Sequence, residues 1–305
     1  MKKTVGLLAV LPFVSLLAAC GDGGQAGGTR VAAAFYPFAF VAERVGGAHV
    51  DVENLTSAGG EPHDVELKPR QVADVQSADL VVYQRGFQSA VDAAVDEADR
   101  PAAQVLDVAD VVEQHEGEHE ADGHGDDGHD HEDADPHTWL DPRTMVTVTR
   151  EVARRLADAD PEHADAFEAN ADRLVRELEQ LDTDFVAGLK TCRSRTIVTS
   201  HAAFHYLAER YDLEQVAIAG LDPSDEPSPA QLGEISELVE REGITTIFTE
   251  ELVSPAIART VAGETGARTA TLDPVEGLGE NTRDETYLTL MRRNLEAIRE
   301  ANSCT

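Results

Sequence analysis

The sequence has little cysteine and little positive charge. Its 305 residues contain only three cysteines, Cys20, Cys192 and Cys304. None stands in a Cys-x-x-Cys or Cys/His spacing, which excludes a thiolate zinc finger or a redox motif. Lys and Arg number 25 against 58 Asp and Glu, a formal net charge of −33. That balance repels a phosphate backbone and excludes nucleic acid as a partner, while favouring cations. The apolar run Val5 to Ala19 is interrupted by Gly6, Pro12 and Ser15 and is too short to span a bilayer as a helix. No His-Glu-x-x-His stretch occurs, so the usual arrangement of a zinc hydrolase, with a general base poised over a metal-bound water, is missing. There is no short-period repeat.

What is present at the N-terminus reads as an export signal. Lys2 and Lys3 precede the apolar run, which closes on Leu17-Ala18-Ala19-Cys20. Small residues before a single cysteine resemble the lipobox of bacterial lipoproteins. On that reading residues 1–19 are removed and Cys20 becomes a lipidated first residue. Residues 20–29 then form a flexible, glycine-rich tether. The mature chain is expected on the outer face of the cell membrane, held there by acyl chains. Cys192 and Cys304 remain. Two leftover thiols in an exported chain are expected to pair, the alternative being two buried free thiols.

A second feature is EQHEGEHEADGHGDDGHDHEDADPH, in which His115, His119, His124, His129 and His131 lie among Asp, Glu and Gly. No helix or strand can bury a face of that composition, so residues 113–135 read as a solvated acidic loop. Imidazole and carboxylate at this density form a secondary, low-affinity site for a borderline divalent metal, zinc above all.

The rest alternates short apolar strands with helical patterns. Strands are predicted at Arg30–Phe35, Val50–Leu55, Ala78–Tyr83 and Gln104–Leu106, and again at Thr196–Thr199, Leu213–Ile218, Thr245–Phe248 and Arg268–Leu272. Helical rhythm separates them, with a helix predicted over His201–Arg210 and a long amphipathic one over Pro161–Lys190. This predicts an α/β protein of two lobes, each with a parallel sheet flanked by helices, joined by one long rigid helix. The expected divisions are an N-terminal lobe over 30–158, a linking helix over 159–190 and a C-terminal lobe over 191–305. Ligands of such sheets sit beyond the carboxyl ends of the strands, here in the cleft between lobes.

Four residues fall at such ends. His63 follows the second strand in Gly60-Glu61-Pro62-His63-Asp64. His137 lies in Asp135-Pro136-His137-Thr138-Trp139-Leu140-Asp141-Pro142, and His201 in Thr199-Ser200-His201. Asp273 ends a strand in Leu272-Asp273-Pro274. Three imidazoles and one carboxylate make a tetrahedral set for Zn²⁺, whereas manganese is better served by more oxygen donors. A site filled by four side chains leaves no position for a substrate, so it carries metal and the chain is not expected to be an enzyme. Imidazole binds only when neutral, so affinity is expected to fall below about pH 6 to 6.5.

At these residues the chain resembles the zinc-binding lipoproteins that serve bacterial ABC importers, the solute-binding proteins of high-affinity zinc uptake. Glu61-Pro62-His63-Asp64, Asp135 to Pro142 after an acidic histidine-rich loop, Thr199 to Phe204, and Glu226-Pro227-Ser228-Pro229 carry the resemblance. It implies metal held between two α/β lobes and carries His63, His137 and His201 over as ligands. In manganese-binding relatives the third position is usually Glu, so His201 favours zinc. For the fourth ligand the resemblance leaves three options: an acidic residue near Asp273, an acidic residue beside the first histidine (Glu61), or water; Asp273 is the expectation. Some members carry a second-lobe disulfide, compatible with Cys192 and Cys304. The implied function is capture of Zn²⁺ by a monomer and delivery to an ABC permease. The alternatives are a manganese or iron carrier of the same fold, a zinc-dependent hydrolase, or a metal-containing adhesin.

Overall fold

The computed structural model describes residues 28–112 and 134–305. The first sheet consists of β1 (Thr29–Ala33), β2 (Val50–Asn54), β3 (Leu80–Tyr83) and β4 (Val105–Asp107), in the order β2-β1-β3-β4. The second consists of β5 (Thr196–Thr199), β6 (Glu214–Ala217), β7 (Thr246–Thr249) and β8 (Arg268–Thr271), in the equivalent order β6-β5-β7-β8. All pairings are parallel. A parallel sheet needs both faces covered, and the central strands accordingly read as unbroken buried runs, Leu-Val-Val-Tyr in β3 and Thr-Ile-Val-Thr in β5.

Helices supply the cover. They are α1 (Tyr36–Gly46), α2 (Pro69–Ser77) and α3 (Ser89–Ala98) around the first sheet, then α4 (Pro142–Ala159) and α5 (Ala164–Gly188). Around the second sheet follow α6 (His205–Arg210), α7 (Pro229–Glu242), α8 (Ala256–Thr265) and α9 (Tyr287–Ala301). Their ends follow from local chemistry. Asp141 caps α4 by accepting from Arg143 N at 2.7 Å, with Pro142 in the first turn. Ser228 and Gln231 form a reciprocal capping box on α7, and Gly243 ends that helix at φ 66°.

The larger apolar core runs without a break from the first sheet through α1, α4 and α5 into α9, including Phe38, Val82, Leu106, Val148, Leu174, Phe185, Tyr287 and Met291. A smaller cluster, with Val198, Ile247, Val239 and Val261, joins the second sheet to α7 and α8. The two sheets thus share a core through α5 and α9, and their strand ends face a common cleft. At 25 residues α5 is about 37 Å long. Among the described residues no helix is long and apolar enough to cross a membrane.

Two predicted helices begin later than expected. The long one opens with a separate 3₁₀ turn at Pro161–His163, because His163 leaves helical geometry (φ −107°, ψ 11°) while its Nδ1 lies 2.6 Å from Asp160 Oδ2. The helix predicted from His201 starts at His205. The His201 carbonyl is already taken by Thr199 Oγ1 and Gln215 Nε2 at 2.7 and 3.0 Å, so it cannot open a helical ladder.

Cys192 and Cys304 form a disulfide that ties the chain after α5 to the end beyond α9, across 112 residues of sequence. Neighbouring bonds reinforce the tie: Thr305 N donates to Thr191 O at 3.0 Å and Asn302 Nδ2 to Ser194 O at 3.0 Å. The signal segment, Cys20 and His115, His119, His124, His129 and His131 lie outside the described residues.

Candidate metal centre

His63 stands in the loop after β2, His137 before α4 at the mouth of the first sheet, His201 just after β5, and Glu276 five residues beyond β8. The sequence spreads them over more than 200 residues, and the fold gathers them at the carboxyl ends of its strands. The Nε2 atoms of His137 and His201 are 3.3 Å apart. Glu276 Oε1 lies 3.5 Å from Nε2 of each of His63, His137 and His201. A tetrahedron with metal–nitrogen bonds of 2.0–2.1 Å has donor–donor edges of about 3.3–3.4 Å. These four spacings match donors arranged around one small cation, and all four donor atoms lie within 4.8 Å of one another.

The group is mostly closed from solvent, with His63 only partly buried. His137 and His201 are fully buried and Glu276 is 1% exposed. His63 Nε2 and both carboxylate oxygens of Glu276 have no hydrogen-bond partner. Buried unpaired donors and acceptors are costly, and a cation at their centre satisfies them together.

Two further carboxylates orient the rings. His137 Nδ1 is 2.8 Å from Asp135 Oδ1, and His201 Nδ1 is 2.8 Å from Glu250 Oε1. An Nδ1–H held by a carboxylate leaves the Nε2 lone pair facing the centre and raises its basicity. His63 is placed by its own N–H, which donates to Glu61 Oε1 at 3.1 Å, and by edge-on contact with Phe87 at 4.8 Å. Trp139, fully buried, walls the site with its ring 5.1 Å from that of His137.

The charges are strongly coupled. Burial opposes the cationic form of His201, but Glu250 and Glu276 outweigh it and push its pKa up to about 10. Burial likewise opposes protonation of His137, and the hydrogen bond to Asp135 with the nearby Glu276 carboxylate reverses the effect, leaving the pKa raised. Burial would raise Glu276, yet the imidazoles of His137, His201 and His63 facing it at 3.5 Å hold it well below the usual carboxylate range. Burial, together with the nearby Glu276, lifts Glu61 to about 7.

The three histidines expected to meet do so, and Asp273 does not join them. Its Oδ1 accepts from Val275 N at 2.7 Å, its N–H donates to Asn294 Oδ1 at 2.9 Å and its carbonyl accepts from Asn294 Nδ2 at 2.6 Å. Asp273 shapes the turn, and Glu276 supplies the carboxylate. Glu61 stays beside His63, bonded to its backbone. Sequence reasoning also passed over Glu250, although it directly follows a strand in Thr249-Glu250 and the rule that selected His201 would have found it. Glu276 gave no such signal. It lies beyond a turn in which Val275, a β-branched residue, adopts φ 58°.

Comparison with known proteins agrees with this geometry. Residues 31–301 match the model of the family ZnuA, zinc-uptake complex component A periplasmic. The chain is 36% identical over 310 residues to the zinc-binding lipoprotein AdcA of Streptococcus pneumoniae (strain ATCC BAA-255 / R6), covering 98% of this chain and 61% of that protein. The chain thus spans about three fifths of the length of that relative. It is 32% identical over 313 residues to the high-affinity zinc uptake system protein ZnuA of Bacillus subtilis (strain 168), covering 98% of both. The crystal structure of Zn(II)-bound AdcA from Streptococcus pneumoniae superposes with a TM-score of 0.76 at 33% identity, over 90% of this chain and 58% of that one.

Proposed function

Because the chain belongs to the family of zinc-uptake complex component A, periplasmic, we propose that it captures Zn²⁺ outside the cytoplasmic membrane and delivers it to an ABC permease for import. The observation that carries this reading is the enclosure of three imidazoles and one carboxylate at tetrahedral spacing, with unsatisfied atoms pointing inward. His63, His137, His201 and Glu276 are the ligands of the cargo ion, and Asp135 and Glu250 hold two of the rings. Four side-chain donors suit zinc, whereas manganese favours six-fold oxygen-rich coordination. With no side left for a substrate, the centre supports carriage and not catalysis.

The naming of relatives as a zinc-binding lipoprotein and a zinc uptake protein supports the same reading. Lipidation of Cys20 would anchor the monomer to the outer face of the membrane, with residues 30–158 and 191–305 as its lobes and 159–190 as the link. His115, His119, His124, His129 and His131 would form a weaker reservoir that feeds the cleft. Competitive chelator titration tests both sites. Zn²⁺ should bind one tight site per chain, ahead of Mn²⁺ by at least about 10³-fold. Deleting residues 113–134 should leave that site intact and remove only weaker binding. A preference for Mn²⁺ would overturn the assignment, and loss of tight binding on deletion would place the loop in the primary site.

Protons should leave as zinc enters. His201, with a pKa of about 10, is protonated in the metal-free centre at pH 7, and the pKa of His137 is shifted in the same direction. Zn²⁺ takes only neutral imidazole, so each proton displaced lowers affinity about tenfold per unit fall in pH. This dependence should extend above pH 7, well beyond the range of an ordinary histidine. Calorimetry in buffers of different ionisation enthalpy should find at least one proton released per zinc at pH 7. Affinity that is flat from pH 6 to 9 would contradict it.

A further inference from the structure

Nothing beyond the histidine nitrogens holds the Glu276 side chain, since neither of its oxygens has a hydrogen-bond partner. Its position is therefore set by its backbone, and the backbone just before it is clamped on two sides. On one side α9 grips Asp273 through Asn294, which is 2% exposed and bonds both the N–H and the carbonyl of that residue at 2.9 and 2.6 Å. On the other side Trp139 Nε1 donates to Pro274 O at 2.7 Å. Trp139 lies two residues from His137, so this bond crosses the cleft between the two sheets. The clamp closes on itself, because Tyr287 at the start of α9 donates its hydroxyl to Trp139 O at 2.7 Å. Inside it, Asp273 Oδ1 accepts from Val275 N and Val275 is held at φ 58°, a conformation a β-branched residue adopts only when its surroundings impose it.

We propose that Trp139 and Asn294 are positioning residues for Glu276, and that the clamp they form sets the preference for zinc over manganese. This deepens the zinc-carrier reading and rests on it. With the turn fixed, one Glu276 oxygen stands at the same 3.5 Å from all three imidazole nitrogens. A larger, six-coordinate ion would need the carboxylate to swing to bidentate contact or to admit water, and a turn tied at Asp273 and Pro274 resists both. Supporting groups of this kind typically change metal affinity by about 10–100-fold when altered.

The test uses three variants of the full chain. Trp139→Phe removes the Nε1 donor and keeps an aromatic ring against Phe35 and Phe87. Asn294→Asp keeps an acceptor for Asp273 N and removes the donor to Asp273 O. Glu276→Gln is the control. Zn²⁺ and Mn²⁺ affinities are measured by chelator competition, and coordination number by the visible absorption of the Co²⁺ form. Trp139→Phe and Asn294→Asp should each lower the zinc-to-manganese affinity ratio by at least about tenfold. The strong absorption of four-coordinate Co²⁺ should weaken toward that of higher coordination. An unchanged ratio and an unchanged Co²⁺ spectrum in a folded Trp139→Phe protein would overturn the proposal, and that variant decides alone if Asn294→Asp does not fold. If Glu276→Gln leaves zinc affinity unaltered, the ligand assignment itself fails. If Glu276→Gln weakens zinc and the other two do not, only the clamp is wrong.

Discussion

Replacing His137 with alanine should weaken zinc binding by at least about 10³-fold, some 4 kcal/mol. The imidazole is fully buried, and its Nε2 stands 3.3 Å from that of His201 and 3.5 Å from Glu276. The cavity left behind could admit water as a fourth ligand, which keeps the loss finite. A second consequence separates this residue from a merely structural one. Asp135 has its Oδ1 on the His137 ring and its Oδ2 without a partner, so the alanine variant leaves a buried carboxylate with less compensation. Breaking a buried pair from one side costs roughly 3–5 kcal/mol. The metal-free variant should therefore melt lower than the metal-free parent, and added zinc should raise its melting temperature far less. Chelator competition and thermal melts with and without zinc measure both. Zinc affinity within tenfold of the parent would remove His137 from the ligand set.

Exchange of Cys192 and Cys304 for serine should cost stability on a similar scale. A cross-link closing 112 residues reduces the entropy of the unfolded chain by an amount worth about 5 kcal/mol near room temperature. For a domain of this size that corresponds to a fall in melting temperature of roughly 10 °C. The bridge ends α9, the helix that carries Asn294 and Tyr287, yet backbone and side-chain bonds of Thr191, Arg193, Asn302 and Thr305 also hold that end. Zinc affinity in the folded double variant should consequently fall much less than stability. Denaturant unfolding with the disulfide intact and replaced measures the difference. A change below about 1 kcal/mol would mean that the unfolded chain is not restrained by the bridge as the chain-entropy account requires.

Much of this molecule could be read before any coordinates. The alternation of buried runs such as Leu80–Tyr83 with helical patterns implied parallel sheets. The three histidines that the fold brings together were marked by loop positions at the expected cleft edge and by the resemblance to zinc-binding lipoproteins. The strand-end position failed for the fourth donor because it counts residues along the chain, whereas Glu276 is delivered by a turn. Asp273 ends the strand and looks like the donor, but its carboxylate is spent on Val275 N, and the left-handed backbone at Val275 sends the next residue inward. Nothing in a Val-Glu pair announces that conformation, since it is imposed by Asn294 and Trp139 from elements distant in sequence. Glu250 escaped for a different reason. It follows a strand as His201 does, but its role is to hold the far nitrogen of His201, and a donor set already filled by three imidazoles and Asp273 left no place for it. The 3₁₀ turn before α5 shows the same limit at the level of elements, because a local contact between Asp160 and His163 overrode the helical pattern around it.

The central claim is that His63, His137, His201 and Glu276 enclose one zinc ion. A crystal structure of the zinc-loaded chain, with anomalous scattering recorded at the zinc absorption edge, tests it most directly. The account predicts one strong peak in the cleft, with the three Nε2 atoms at about 2.0–2.1 Å and one Glu276 oxygen at about 2.0–2.2 Å. A peak elsewhere, imidazole rings turned away from it, or Asp273 in the place of Glu276 would contradict the account.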